Sequence, residues 1–271
     1  MKGLRTPAAP ELTLSYALSL ILALLMTGAC LVGLLAQNSL YPTEALRRSF
    51  VPNDVVNLSI GLPILLGSMG LAWRGKLLGL LFWPGALFYI TYNYIAYAVA
   101  RPFSLMFLQY LALVVLSIYT MIGLLSRMDS TAIRQRLRGA VPERLSGGVL
   151  VGFGVLFFLR GIGQVVNALT GQAALAGPEM AVLVADLLTT PTWVAGGVLL
   201  WRKQAFGYAA GAGLLFQSSM LFIGLLVFFI FQPFLTAMPF PVQDFTVVFV
   251  MGLVCFIPFG LFAHGIITKG S

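Results

Sequence analysis

Two charged residues stand where an apolar chain can least accommodate them. Arg160 lies in Gly154-Val-Leu-Phe-Phe-Leu-Arg160-Gly-Ile-Gly-Gln164, and Asp186 is the acidic residue set well inside the run 180–201. A charge at the centre of a hydrocarbon layer costs about 2.5–3.5 kcal/mol on insertion scales, so each requires a partner. If a short connection makes the two runs antiparallel neighbours, Arg160 is expected to pair with Asp186, with Gln164 one helical turn above Arg160 on the same face. An arginine offers five donors in a planar fork and one carboxylate engages two, which leaves donors for an anionic or carbonyl-bearing ligand. The competing reading uses the same residues as a buried ion pair that only fixes helix packing.

A second polar group lies in the run 77–99, which carries Tyr89, Tyr92, Asn93, Tyr94 and Tyr97. Tyr89, Asn93 and Tyr97 recur at four-residue spacing and Tyr92 stands beside Tyr89, so a helix presents hydroxyls and an amide along one stripe. Tyr94 and Tyr97 are expected in the aromatic belt at the outer interface, whereas Tyr89 lies two turns deeper. Gln217-Ser218-Ser219 falls at the matching depth of a later run. The candidate ligand-binding set is therefore Arg160, Asp186, Gln164, Tyr89, Tyr92, Asn93 and Gln217. Tyrosines bonded to neighbouring helices would be the purely structural account of the same stripe.

Other chemistry lacks its residues. One histidine, His264, and two isolated cysteines, Cys30 and Cys255, supply no metal-ligand spacing, no paired axial haem ligands and no disulfide framework. There is no GxSxG turn and no serine with a base beside it. Paired intramembrane carboxylates for general acid-base work are missing too. No catalytic residue, metal or cofactor is expected, and an enzyme is the less supported class.

The elements that must position these groups follow from composition. Of 271 residues, 59% are apolar and 9% charged, and the mean hydropathy is +0.97. A soluble domain carries about 25% charged residues, so this chain cannot coat a globule in water. It reads as an all-α integral membrane protein, since spanning segments must satisfy their backbone amides internally. Apolar runs near the bilayer-crossing length of roughly 20 residues predict eight spans, at 13–36, 55–73, 77–99, 103–126, 147–170, 180–201, 205–231 and 244–267. The run from Leu12 to Thr43 exceeds the h-region of a signal peptide and is expected to remain as the first span.

The formal charge of +8 does not point to nucleic acid, because the positive residues sit between the spans. With the N-terminus inside, Lys2, Arg5, Arg74, Lys76, Arg127, Arg134, Arg136, Arg138, Arg144, Arg202, Lys203 and Lys269 share one side and only Arg47, Arg48 and Arg101 the other. That asymmetry predicts a multi-pass protein of the cell membrane with both termini cytoplasmic. In the basic connection 127–146, Ile133, Leu137 and Val141 recur every four residues, so a short helix there could lay its apolar stripe on the membrane with arginines toward anionic lipid. A solvated linker is the alternative. The proline-rich connection from Gln232 to Asp244 is expected to be non-helical and folded back over the outer mouth.

Shifting the chain by 128 positions superposes Pro63 on Pro191, Leu71 on Leu199, Trp73-Arg74 on Trp201-Arg202, Gly79 on Gly207, Gly85 on Gly213 and Leu87-Phe88 on Leu215-Phe216. This predicts two four-helix repeats, 1–126 and 147–271, joined by the linker 127–146. Because each repeat has an even number of spans, the two share one orientation, with their axis along the membrane normal. Two function classes remain open. One is a binder or transporter of a small molecule or lipid, with its site at the outer junction of the repeats. The other is a structural or accessory subunit, with a protein partner or a second copy, whose polar groups only cement the bundle.

Overall fold

The computed structural model describes residues 12–172, 175 and 177–270. Lys2 and Arg5, which entered the orientation argument, lie outside the described residues. The elements are α1 (Thr13–Leu35), α2 (Gln37–Leu40), α3 (Glu44–Val56), a π-turn (Asn57–Gly61), α4 (Leu62–Trp73), α5 (Leu77–Ala100), α6 (Phe107–Arg127), α7 (Ser130–Leu137), α8 (Glu143–Leu169), α9 (Gly177–Trp201), α10 (Ala205–Thr236) and α11 (Val242–Gly270). Among the described residues seven helical rods are long and apolar enough to cross a membrane, and α3, the π-turn and α4 form one of them, Glu44–Trp73. By length and composition the chain is a multi-pass membrane protein.

The expected third span, α5, is absent from those seven, and its surroundings explain why. Pro84, Asn93 and four tyrosines dilute its apolar character, and eighteen of its 24 residues are buried. It packs against α4, α6, α9, α10 and α11. A helix enclosed by other helices has no need of a lipid-compatible surface. Peripheral helices show the opposite pattern: Leu108, Leu111, Val115, Tyr119 and Ile122 form an exposed stripe along α6, at the three- and four-residue spacing of one helical face.

Small residues set the closest approaches. Gly147, Gly154 and Gly161 recur every seven residues on α8 and face α9, where side chains would meet the Gly197 carbonyl, Val194 and Leu187. This is the small-residue packing used where apolar surroundings give helices no hydrophobic reason to associate. At the crossing of α5 with α10, a Cβ on Gly85 would run into the Gly213 carbonyl. Phe82 and Phe216 stack beside that crossing, with ring centroids 4.5 Å apart.

The turns α4–α5 and α9–α10 are built alike. In the first, Gly75 N–H donates to Ala72 O at 2.9 Å and Lys76 N–H to Leu71 O at 3.0 Å; in the second, Lys203 N–H donates to Leu200 O and Gln204 N–H to Leu199 O, both at 2.9 Å. Gly75 and Lys203 both take positive φ, 70° and 55°.

Three elements differ from expectation. Thr43 caps α3, its Oγ1 accepting from Leu46 N–H at 3.3 Å, so the second rod begins at Glu44 and not near residue 55. Its polar first turns had masked the helix. Helix α10 runs through Pro233 to Thr236, and Phe234 is 82% exposed, so this part of 232–244 is helical and does not fold over the mouth. The chain turns only at Ala237, with φ +52°. In α7 the residues Ile133 and Leu137, with Val141 beyond them, are buried where the helix packs on α10 and α11; the apolar stripe faces protein, not lipid. Nearby, Glu143 Oε1 accepts from Gly139 N–H at 2.9 Å and from the Tyr208 hydroxyl at 3.0 Å, tying the basic linker to α10.

Candidate functional site

Helices α3, α5, α8, α9 and α10 enclose a cavity of ≈ 440 Å³, a volume within the usual range for small-molecule sites. Each wall has its own character. Helix α3 gives Ser49, Phe50, Asn53 and Val56; α5 gives Tyr89, Tyr92, Asn93 and Ala96; α8 gives Phe157, Arg160 and Gln164. Helix α9 contributes Glu179, Asp186, Thr189, Thr190 and Trp193, and α10 contributes Leu221, Phe222, Leu225 and Phe228. Polar groups thus line α5, α8 and α9, opposite an aliphatic and aromatic wall from α10.

Six of the seven candidate residues, Arg160, Gln164, Asp186, Tyr89, Tyr92 and Asn93, line this one cavity. Gln217 does not. It is fully buried behind Trp193, whose indole Nε1–H donates to Gln217 Oε1 at 2.7 Å, so it holds a wall residue in place.

The expected pair of Arg160 with Asp186 is not a direct ion pair. Although α8 and α9 pack directly on each other, it is Tyr92 of α5 that reaches the carboxylate, its hydroxyl donating to Asp186 Oδ1 at 2.9 Å. Among the described residues no carboxylate lies within 4.0 Å of the Arg160 guanidinium. Arg160 is an exposed residue at the edge of the cavity it lines, whereas Asp186 is half-buried.

Backbone support for Asp186 comes from threonines around Pro191. Proline removes one helical N–H bond, and Thr189, Thr190 and Thr192 return hydroxyl bonds to Ala185 O, Asp186 O and Thr189 O at 2.7, 2.7 and 2.6 Å. On the rod Glu44–Trp73, Pro63 is the second residue after the π-turn. A wider turn there accommodates the missing N–H and rotates the preceding residues, Asn53 to Asn57, relative to the rest of the rod.

Those residues lie outside the candidate set: the sequence places Asp54 and Asn57 among the polar residues of the second span but gives no reason to group them with the others. Asp54 is 1% exposed, more deeply buried than Asp186. Its Oδ1 accepts from the Tyr97 hydroxyl at 2.8 Å and its Oδ2 from the Tyr41 hydroxyl at 2.9 Å. Asn53, which lines the cavity, donates from Nδ2 to Tyr97 Oη and to Asn93 Oδ1, both at 3.3 Å. Tyr97 is therefore not an interfacial belt residue but the centre of a buried polar cluster. The helix-start signal Pro42-Thr43-Glu44 would have placed Asp54 well inside that span.

The two cysteines are buried and free, Cys30 against the Tyr94 hydroxyl at 3.5 Å and Cys255 against Ser218 Oγ at 3.1 Å. No protein family, curated protein or solved structure matches this chain, so its function must be argued from the site itself.

Proposed function

We propose that this protein binds, and carries within the membrane, a small amphipathic molecule or lipid headgroup at the ≈ 440 Å³ cavity. An acidic or carbonyl-bearing head group lies against Arg160 and Gln164, a hydroxyl or amine reaches Asp186 and Asn93, and the apolar body rests on Phe157, Trp193, Phe222 and Phe228. The observation that carries this reading is the Arg160 guanidinium, which lines a mostly apolar cavity from an apolar run with no carboxylate of the described residues within 4.0 Å of it. A guanidinium that served only to cement the bundle would have its own counter-charge, since an unpaired charge in apolar surroundings is costly.

The same proposal takes α5 as an eighth span enclosed by the other seven. It takes 1–126 and 147–271 as two repeats in one orientation about an axis through the Gly85–Gly213 crossing. Both termini then lie in the cytoplasm, the cavity opens toward the outer leaflet, and the arginines of 127–146 meet anionic headgroups. Cysteines introduced at 238–241 should react with an impermeant maleimide from outside and those at 134–138 should not; the reverse pattern overturns the orientation.

The functional test compares the protein with Arg160→Met and Asp186→Leu in nanodiscs of phosphatidylethanolamine and phosphatidylglycerol, scoring folded yield and retained small molecules by native mass spectrometry. Arg160→Met strands no partner, so folded yield should hold while a retained species is lost. Asp186→Leu leaves the Tyr92 hydroxyl unpaired, at about 1–3 kcal/mol, so its yield should fall. Equal retention in the wild type and Arg160→Met, or no species retained by either, would make the cavity a structural void.

A further inference from the structure

We propose that Asp54 is a proton-binding site and that its proton is coupled to the cavity through Tyr97 and Asn53. Only the coupling rests on the cavity being a ligand site; the proton site stands on its own geometry.

Asp54 lies ten residues from Glu44, roughly 15 Å along the rod at 1.5 Å per residue. Among the described residues no lysine, arginine or histidine lies within 4.0 Å of its carboxylate. The chain is shaped to admit it: a Cβ on Gly33 of α1 would overlap the carboxylate and lie 2.8 Å from the Tyr41 hydroxyl. Groups facing it are Cys30 from α1, Tyr41 from the segment after α2, Tyr94 and Tyr97 from α5, and Tyr110 from α6. Cations stand only toward the rod ends, Arg47 turned onto Tyr41 O at 3.1 Å and Arg101 closing α5. Helix α9 places Asp186 and Glu179 on the cavity's far side, and α10 has no titratable side chain beyond Tyr208 near its start.

The hydrogen bonds around Asp54 have two ways to close. As drawn, both tyrosine O–H groups donate to the carboxylate, and two buried atoms, Asn57 Oδ1 and Tyr110 Oη, have no partner. A proton on Asp54 turns one of its oxygens from acceptor to donor, which releases the Tyr97 hydroxyl. The Asn57 carboxamide is next to it, with Nδ2 at 3.4 Å, and a turn of that amide brings the vacant Oδ1 into reach. A metal cation would instead need several oxygen lone pairs converging on it, whereas here the hydroxyl protons point at the carboxylate.

The same release reaches the cavity. Tyr97 Oη accepts from Asn53, and Asn53 also holds Asn93, so two cavity-lining amides change their bonding with the proton. The chain Asn53–Tyr97–Asp54 also sets the carboxylate two hydrogen bonds from the cavity.

Infrared difference spectra of the full chain in phosphatidylcholine nanodiscs, taken between acid and alkaline buffers, read the proton directly. A protonated-carboxyl C=O band should titrate in the wild type, be lost in Asp54→Asn and persist in Asp186→Asn. Should Asp54→Asn fail to fold, Tyr97→Phe keeps the carboxyl, removes one donor and must shift the band. A band unchanged in Asp54→Asn, or unmoved in Tyr97→Phe, overturns the proton site. Abolition of the band by sodium replacing potassium at fixed pH also overturns it, in favour of a metal ion. For the coupling, maleimide labelling of Ser49→Cys, normalised to the exposed Ala45→Cys, should change over the pH range in which the band titrates, and Tyr97→Phe should lose that change. A flat ratio alongside a titrating band overturns the coupling alone. Arg160→Met should keep the titrating band, so the ligand reading and the proton site fail separately.

Discussion

The crossing of α5 and α10 makes an asymmetric prediction from two glycines that the 128-residue offset superposes. A methyl group on Gly85 would enter the Gly213 peptide, and backbone cannot rotate away as a side chain can. A methyl group on Gly213 would instead lie 3.2 Å from Gly85 N and 3.3 Å from Leu81 O, which a displacement of a few tenths of an ångström relieves. Overpacking that forces backbone apart costs about 1–3 kcal/mol, while replacing helical glycine with alanine returns about 1 kcal/mol of propensity. With a contact this close to backbone the cost lies in the upper part of that range, so Gly85→Ala should lose about 1–2 kcal/mol net, a Tm fall of roughly 2–8 °C for a chain of this size. Gly213→Ala should stay within about 2 °C of the wild type. Thermal unfolding in detergent, followed by helical circular dichroism, reads both. Equal losses in the two variants, or a neutral Gly85→Ala, would show that this crossing is not the close contact described.

Gln217→Leu should destabilise by about 1–3 kcal/mol, because it leaves the buried Trp193 indole N–H unpaired. The double variant with Trp193→Phe should recover part of that loss in a double-mutant cycle on unfolding midpoints. The α4–α5 and α9–α10 turns respond oppositely to their positive-φ residues: Gly75→Ala should cost about 1 kcal/mol and Lys203→Gly should gain up to about 1 kcal/mol. The same unfolding assay measures both, and matching signs would contradict the equivalence of the turns.

What the sequence made legible divides along physical lines. Apolar runs are long-range signals that lipid imposes on every residue of a span, so the membrane class and the places of most helices could be read directly. Arg160, Asp186, Tyr89, Tyr92 and Asn93 stood out because each breaks such a run, and three helices, α5, α8 and α9, bring them to one cavity. The ends of rods were harder. Glu44 to Asp54 carries Arg47, Arg48, Asn53 and Asp54, a composition that reads as a loop until the Thr43 cap is recognised, and missing that start put Asp54 at the edge of its span instead of well inside the rod. The Arg160–Asp186 pair failed for a different reason: helix adjacency does not decide which of several donors reaches a carboxylate first, and here it is the Tyr92 hydroxyl of α5.

The residues that the 128-residue offset superposes are those that bend, turn and cross: Pro63 with Pro191, Trp73-Arg74 with Trp201-Arg202, and Gly79 and Gly85 with Gly207 and Gly213. The charged and amide groups of the cavity and of the Asp54 cluster are not superposed. Asp54 falls on Val182, Asn93 on Leu221, Tyr97 on Leu225, Arg160 on Val32 and Asp186 on Leu58. A duplicated bundle that needed its polar groups only as cement would need them in both halves, because the same kinks and crossings recur in each. Here the first half supplies the buried Asp54 cluster, the second supplies Arg160 and Asp186, and the cavity takes walls from both. Within the proposed repeat, the shared residues build the scaffold and the unshared ones meet at a single cavity between the halves, with the proposed proton site on one side and the proposed ligand contacts on the other.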